Sequence, residues 1–226
     1  MIETVDFNRN RTIGESNYRN RIPEKACRLA AQAVRDLGFD EDFEIYLGFE
    51  LGNINGFSCP NSKGKPFVYL GLDTELEEGT FKNIIPHEIN HMVRSQKVKD
   101  IDFWDFLERV LSEGLGVASS LVLNQSNFSP EGISKALALL LQEVEKPEKR
   151  LFLFRKVTDG FGSKLTEEMM QEYFTWSEAS GKDNLKLGGY YVGLMIVKKM
   201  LDKGFALAEL TSMPSILNWN HFKEIA

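Results

Sequence analysis

The chain has 226 residues, with a formal net charge of −6, 42% hydrophobic residues and 27% charged residues. These values are ordinary for a globular protein and predict one domain or two small lobes around a cleft. The acidic balance argues against nucleic acid as a partner, because phosphate binding relies on clustered lysine and arginine, and no apolar run approaches the roughly 18 residues that span a membrane.

The cysteine content and the N-terminus bear on the compartment. Cys27, in a helical pattern, and Cys59, in a predicted loop, are too few for a disulfide framework. We expect two free thiols, with one structural disulfide as the alternative. Residues 1–21 are polar and contain no apolar core of a signal peptide. They predict an arm or a short edge element of a cytoplasmic protein, with export by a non-standard route as the alternative.

The N-terminal part predicts one helix followed by two strands. Pro23 suits the first turn of a helix, alanine and leucine then recur at helical spacing, and Gly38 ends the helix. Alternating aromatic and β-branched residues predict the strands. In chain order they and the turns between them are strand 44–51, turns 52–56 and 60–64, and strand 66–73.

The next helix carries the most informative motif of the chain. Thr80 is a suitable N-cap for a helix over residues 81–96. Pro86 within it either kinks the helix or marks the start of its regular part. Both alternatives leave His87 and His91 on one helical segment.

This motif is the pentapeptide His87-Glu88-Ile89-Asn90-His91, an H-E-x-x-H pattern that uses two of the three histidines. On a helix, positions i and i+4 share a face, so two imidazoles there can bind one zinc ion. The intervening glutamate then lies beside the metal-bound water. The alternative is a pair of surface histidines on an amphipathic helix.

A helix predicted over residues 101–118 supplies a candidate third ligand. Glu113 falls on its apolar stripe at about 100° per residue, and a buried carboxylate costs several kcal/mol unless it is paired. A zinc ion is one partner that would remove this cost. The alternative is a Glu113 at a helix edge, paired with Arg94 or with a surface lysine. The polar residues predicted on the opposite side of the helix are Asp105, Glu108 and Ser112.

Small residues follow the candidate ligand directly. Gly114 and Gly116 precede Ala118, Ser119 and Ser120, and glycine weakens a helix interior by up to about 1 kcal/mol relative to alanine. The run predicts that another backbone packs very close, as two helices that share a metal require. The alternative is a weak helix end. Beyond it, the sequence predicts helices over 131–145 and 147–159, a flexible loop over 177–189 and an apolar helix over 190–201.

Three sequence blocks carry a resemblance to known enzymes. They are the H-E-x-x-H-x-x-R run that begins at His87, Ser112-Glu113-Gly114-Leu115, and Gly189-Tyr190-Tyr191-Val192-Gly193. Together they resemble the gluzincin clan of metallopeptidases. More narrowly, they are similar to an uncharacterised bacterial family of predicted zinc-dependent proteases with H-E-x-x-H-x-x-R, S-E-G-L and G-Y-x-x-G motifs.

The resemblance implies His87, His91 and Glu113 as zinc ligands and Glu88 as the general base that takes a proton from the zinc-activated water. It further implies a zincin-like, thermolysin-like α+β fold. A small sheet and helices would form an N-terminal lobe, residues 1–97, and a mainly helical lobe would follow, residues 98–226. One of the two strands would supply a sheet edge that pairs with an extended peptide, unless both strands are interior.

Tyr190 and Tyr191 are candidates for a second donor to the reaction's oxyanion. Two adjacent tyrosines cannot share one face, and the resemblance favours Tyr190. The alternative is a core or surface aromatic residue. His221, the third histidine, is interpreted as a surface residue.

The chain also departs from the larger group of thermolysin-like metallopeptidases. Val117 stands where thermolysin-like enzymes have an aspartate that orients a zinc-bound histidine, so no partner of the histidines is identified. A G-x-M-E-N stretch is absent, which argues against an aminopeptidase. We therefore expect an endopeptidase or oligopeptidase acting on peptides or unfolded proteins. The alternatives are a non-catalytic protein whose zinc links two helices, and a zinc hydrolase of another amide or ester.

Overall fold

The computed structural model of the protein describes residues 6–49, 56–60, 64–73, 78–123, 146–175 and 186–225. Within these ranges the protein is α+β, with a small sheet and a larger number of helices. The predicted helix 131–145 and most of the predicted loop 177–189 lie outside the described residues.

The helices and strands follow in this order: α1 Phe7–Arg19, α2 Ile22–Asp36, β1 Glu44–Gly48, β2 Gly56–Pro60, β3 Pro66–Gly71, α3 Glu78–Lys97, α4 Phe106–Leu123, α5 Pro147–Thr158, α6 Glu167–Tyr173, α7 Gly188–Asp202, α8 Leu207–Ser212 and α9 Ser215–Ile225. The predictions of α2, β1, β3, α5 and α7 are confirmed within a few residues. Gly38 follows α2 with a φ of +64°, the conformation in which glycine ends helices.

The sheet contains one strand more than the sequence predicted. Its order is β1-β3-β2, with β1 parallel and β2 antiparallel to β3. Strand β2 was missed because it is only five residues long and is bounded by Gly56 and Pro60, which are typical of turns and of edge strands. Cys59 therefore lies in a strand and not in a loop. Cys27 is an exposed free thiol, as expected.

The prediction of an arm or edge element at the N-terminus was wrong for helix α1. Its N-cap Asp6 accepts a hydrogen bond from the backbone N–H of Arg9 at 3.0 Å. Glu15 pairs with Arg11 and Arg19 at i,i−4 and i,i+4 spacing. Such local pairs stabilise a helix without an apolar stripe, and for this reason hydrophobic periodicity did not reveal α1.

Helix α3 begins earlier than predicted. It starts at Glu78, so Thr80 lies inside the helix and is not its N-cap. Pro86 also lies inside α3, where it has no N–H to donate to the preceding turn. The carbonyl of Asn83 in that turn accepts a hydrogen bond from Ser120 Oγ of α4 at 2.7 Å. This hydrogen bond joins α4 to the turn of α3 that precedes the proline.

Helix α4 is buried on nearly all sides from Phe106 to Leu121. The assignment of Glu108 and Ser112 to a polar face was therefore wrong, since both are buried. Arg94 of α3 explains how Glu108 is accommodated. Its guanidinium binds both carboxylate oxygens, at 2.6 Å and 2.8 Å, and is itself only 1% exposed. Ser112 and Ser215 donate to the same carboxylate at 2.6 Å each.

The run of small residues in α4 has two different neighbours. A Cβ at Gly114 would lie 2.2 Å from the backbone carbon of Gly193 in α7, so these helices cross at backbone contact. A Cβ at Gly116 would instead lie 2.7 Å from the ring of His87. The prediction of a closely packed backbone is confirmed, but the backbone is that of α7 and not that of the motif helix α3.

The buried core is continuous across the described part of the chain. It includes Leu70 of the sheet, Ile89 of α3, Leu115 of α4 and Ile196 of α7. It therefore contains residues from both predicted lobes, and their boundary at residue 97 stays a prediction. Among the described helices, none combines the length and the apolar character needed to cross a membrane.

The Arg94–Glu108 pair predicts a pH-dependent contribution to stability. Burial by itself raises the pKa of Glu108, but Arg94 and the hydroxyls of Ser112 and Ser215 outweigh it and hold the pKa below its usual value. The contribution is therefore complete above about pH 4.3, the usual pKa of a glutamate, and is lost as the pH falls through the lower pKa of the folded state.

We expect Glu108→Gln to lower the free energy of unfolding by about 3–5 kcal/mol at pH 7, because it leaves the buried guanidinium of Arg94 unpaired. Urea denaturation from pH 7 to pH 3 should show this difference narrowing below pH 4. Asp202→Asn, in the exposed pair with Lys198, is the control and should cost less than about 1 kcal/mol. Equal losses in both variants would contradict a stabilising role for the buried pair.

Candidate metal centre

Three side chains from two helices converge at one point. Nε2 of His87 and Nε2 of His91 are 2.9 Å apart. Oε2 of Glu113 lies 3.1 Å from Nε2 of His87 and 3.6 Å from Nε2 of His91. The structure therefore brings together the three residues that the sequence predicted as metal ligands.

Local helix geometry positions each of these groups. His87 and His91 are four residues apart on α3, so their rings meet edge to face with centroids 4.5 Å apart. Helix α4 packs against α3 and directs Glu113 toward both rings. The close approach depends on Gly116, because any Cβ there would overlap the ring of His87. The S-E-G-L-G sequence thus provides the carboxylate and also the space for the imidazole opposite it.

The surroundings of Glu113, which is only 3% exposed, favour the ionised form of its carboxyl group. Burial acts to raise its pKa, but the cation of Arg109, the nearby His91 and the hydrogen bond to His87 hold the pKa well below its usual range. For His87, burial acts to lower the pKa, whereas its hydrogen bond to Glu113 and the charge of that carboxylate outweigh burial and raise it. The centre is therefore built around a buried anion.

Arg109 is a residue of this centre that the sequence analysis missed. Its Nη2 donates to Oε1 of Glu113 at 2.8 Å, and its side chain is 34% exposed. The alternative partners considered from the sequence were Arg94 and a surface lysine; Arg94 binds Glu108 instead. The signal that could have found Arg109 is its position four residues before Glu113 on the same helix, where opposite charges meet.

Glu88 lies between the motif helix and the edge of the sheet. Its Cγ is 3.4 Å from the position that a Cβ at Gly56 of β2 would take. Its charge acts on both His87 and Arg109. The half-buried carboxylate is thus beside the three converging side chains without being one of them, and its role as general base stays a prediction.

The two candidate tyrosines lie in different surroundings. Tyr190 is 6% exposed, its ring centroid is 6.5 Å from that of His87, and its hydroxyl forms a hydrogen bond with Arg109. Tyr191 is buried, which raises the pKa of its hydroxyl, and Arg150 of α5 is the charge that acts on it. The structure therefore brings Tyr190 to the centre and turns Tyr191 toward α5. His221 lies on α9 beside Glu224.

The three ligand atoms have the spacing that one metal ion requires. A tetrahedral zinc with bonds of about 2.0–2.1 Å holds its ligand atoms about 3.3–3.4 Å apart, and the distances here are 2.9, 3.1 and 3.6 Å. Two imidazoles and one carboxylate are also the donor set of catalytic zinc sites that keep a fourth position open. The residues present therefore fit a zinc ion.

Comparisons with known proteins do not add to this evidence. No family model, no curated protein and no solved structure matches the chain. The interpretation of the centre therefore rests on its own geometry and chemistry.

We expect Gly116→Ala to weaken zinc binding by about tenfold or more, because the added methyl group displaces the ring of His87. A zinc titration against a competing chelator measures the effect. Gly14→Ala is the control, since this glycine lies in helix α1 and its Cβ would meet the side chain of Phe49 at 3.1 Å and the carbonyl oxygen of Leu72 at 3.7 Å, and none of the three ligands. Equal zinc affinity in both variants would show that His87 does not need this space to bind metal.

Proposed function

We propose that this protein is a zinc-dependent peptide-bond hydrolase with a zincin-like fold, and that it acts as an endopeptidase or oligopeptidase. The observation that carries the proposal is the convergence of His87, His91 and Glu113 within ligand distance of a common point. Glu88 on the same helix supplies the base that hydrolysis needs, and Tyr190 supplies a hydroxyl donor nearby. The expected compartment is the cytoplasm.

The residues of the chain divide the chemistry between them. A bound zinc ion would lower the pKa of a water in its open position and polarise the scissile carbonyl. Glu88 takes a proton from the attacking water and delivers it to the leaving amine. The hydroxyl of Tyr190 donates to the oxygen that becomes negative during attack, an interaction that contributes about 2.7–4 kcal/mol in comparable sites.

Strand β2 is the candidate for the edge that binds an extended peptide. It ends the described sheet on the side of α3, and its first residue, Gly56, lies against Glu88. Main-chain hydrogen bonds to such an edge hold a peptide with little demand on its side chains. The sequence-based expectation considered only the strands now labelled β1 and β3; β3 is the central strand, and β1 forms the other edge of the described sheet.

A structural zinc that links two helices is the second candidate function. Such sites are closed by four protein ligands, and their folds depend on the metal. Here α3 and α4 are joined by contacts that need no metal. These are the ion pair Arg94–Glu108, the hydrogen bond from Asn90 to Ser119 at 2.7 Å, and the hydrogen bond from Ser120 to the carbonyl of Asn83. A metal is therefore not needed as a link, which favours catalysis.

A third candidate is a zinc hydrolase of another amide or an ester, because the ligand set does not specify the bond that is cleaved. A peptide library and a panel of non-peptide amides and esters, each tested with zinc-loaded protein and with a chelated control, distinguish this candidate from a peptidase. Cleavage of peptides alone supports the proposed peptidase. Cleavage of the non-peptide panel alone would replace it with a hydrolase of another amide or ester.

We expect Glu88→Gln to retain zinc and to lose hydrolysis by about 100-fold or more, because the amide cannot accept the proton of the water. Metal analysis and a peptide-cleavage assay on the same preparation measure both properties. Glu167→Gln, an exposed residue of α6, is the control and should change neither. Cleavage by the Glu88 variant at the wild-type rate would remove Glu88 from the role of base.

We expect Glu113→Ala to lose most of its bound zinc, since it removes one of three ligands. The measurement is the metal content of the purified protein and its zinc affinity in a chelator competition. Glu167→Ala is the matched control and should bind zinc like the wild type. If the Glu113 variant retains zinc at wild-type affinity, Glu113 is not a ligand, and the proposed centre loses its third member.

A further inference from the structure

The carboxylate of Glu113 is divided between two partners. Oε1 accepts a hydrogen bond from Nη2 of Arg109 at 2.8 Å, while Oε2 faces the imidazoles of His87 and His91 at 3.1 Å and 3.6 Å. One oxygen is thus occupied by a cation of the protein, and the other faces the two imidazoles. Oε2 is therefore the atom with which Glu113 would hold a metal.

Arg109 also contacts the second functional group of the centre. Its guanidinium forms a hydrogen bond with the hydroxyl of Tyr190, and its central carbon lies 5.5 Å from the ring centroid of Phe174. Phe174 in turn meets the ring of Tyr190 edge to face, with centroids 5.7 Å apart. Arginine donates but cannot accept, so the oxygen of Tyr190 accepts this hydrogen bond from Arg109.

The first glycine of the G-Y-Y-x-G segment makes this packing possible. A Cβ at Gly189 would lie 2.3 Å from the ring of Phe174, so only glycine lets Phe174 reach Arg109 and Tyr190. The guanidinium is therefore positioned from several sides, although its Nε is buried and has no hydrogen-bond partner in the described part of the chain. Burying a donor without a partner costs about 1–3 kcal/mol, so Arg109 holds this position at a cost to the stability of the fold.

We propose that Arg109 is a positioning residue that holds the metal ligand Glu113 and the donor Tyr190 in place before a metal binds. The proposal rests on the function proposed above. In the metal-free protein Arg109 provides the positive charge that the buried carboxylate needs, so the centre is formed without the ion. It also fixes one oxygen of Glu113, which leaves the other for the metal.

This role predicts that Arg109 contributes more to the stability of the metal-free protein than to the stability of the zinc-bound protein. Without Arg109, the metal-free protein contains a buried carboxylate that lacks its cation, and a bound metal would supply the missing charge. A residue that contributes only packing would instead stabilise both forms equally. The difference between the two forms is therefore the quantity to measure.

The test compares melting temperatures in chelator and in excess zinc for the wild type, Arg109→Met, Glu113→Gln and the double variant. We expect Arg109→Met to lower the melting temperature in chelator by about 5–10 °C, and zinc to raise it more in this variant than in the wild type. The double variant should recover most of the loss in chelator, because it has neither charge. Arg155→Met, an exposed arginine of α5, is the control and should change little.

Equal losses in chelator and in zinc, without recovery in the double variant, would overturn the proposal. If Arg109→Met does not fold, Arg109→Lys retains the charge without the two-pronged geometry. It should keep its melting temperature in chelator within a few degrees but lose kcat about as much as Tyr190→Phe, with KM within about twofold of the wild type. A wild-type kcat in Arg109→Lys would show that Arg109 does not position Tyr190.

The comparison in chelator needs neither metal nor activity, so it separates this proposal from the proposed function. If the wild type binds no zinc and cleaves no peptide, the proposed function fails. The recovery of the double variant still decides whether Arg109 is the partner that Glu113 requires.

Discussion

A buried carboxylate needs a positive partner, and the centre of this protein is arranged around that requirement. Glu113 is 3% exposed and belongs to a helix that is buried on nearly all sides. An ionised group in such surroundings costs several kcal/mol unless nearby charges and hydrogen bonds compensate. Arg109 compensates through one oxygen, and the two imidazoles of α3 face the other. The contact with Arg109 that stabilises the charge of Glu113 thus leaves the second oxygen facing the histidines.

Close packing of α4 against its neighbouring helices makes this arrangement possible and restricts which residues fit around the centre. Gly114 allows the backbone of α7 to approach, which brings Tyr190 toward the centre, and Gly116 admits the ring of His87. Each glycine lowers the intrinsic stability of the helix by up to about 1 kcal/mol relative to alanine. Burial of the surfaces at which the helices contact each other offsets this loss. The low helix propensity of this segment is therefore a consequence of how closely α3, α4 and α7 pack.

The parts of the fold that the sequence predicted are those with a local or a chemical signature. Hydrophobic periodicity located α2, β1, β3 and α7, and the H-E-x-x-H pattern with Glu113 identified the three converging side chains. Helix α1 was missed because it has no apolar stripe; its local support comes from pairs such as Arg11–Glu15 and from the hydrogen bond of Asn17 to the carbonyl of Leu72. Strand β2 was missed because five residues between turn-forming neighbours carry too little pattern, although its pairing with β3 is regular.

The partners of the charged residues could not be predicted, because they depend on how helices are rotated against each other. Helical spacing placed Glu108 on a polar face, an assignment that assumes a solvent-exposed side of the helix. In the folded protein α4 has no such side along most of its length, and Arg94 arrives from α3 to bind Glu108. The sequence offered Arg94 as a partner of Glu113 only, and tertiary packing instead assigns it to Glu108 and leaves Arg109 to Glu113.

The two carboxylates of α4 that pair with arginine are bound in different ways. Glu108 is fully satisfied, since Arg94 binds both of its oxygens and two serine hydroxyls donate to them as well. It therefore has no oxygen to offer and acts as a structural anion. Glu113 receives its guanidinium on one oxygen only, and the second is left facing the histidines. The two carboxylates of this helix thus differ in how many of their oxygens arginine binds, and only Glu113 keeps one oxygen for the imidazoles of α3.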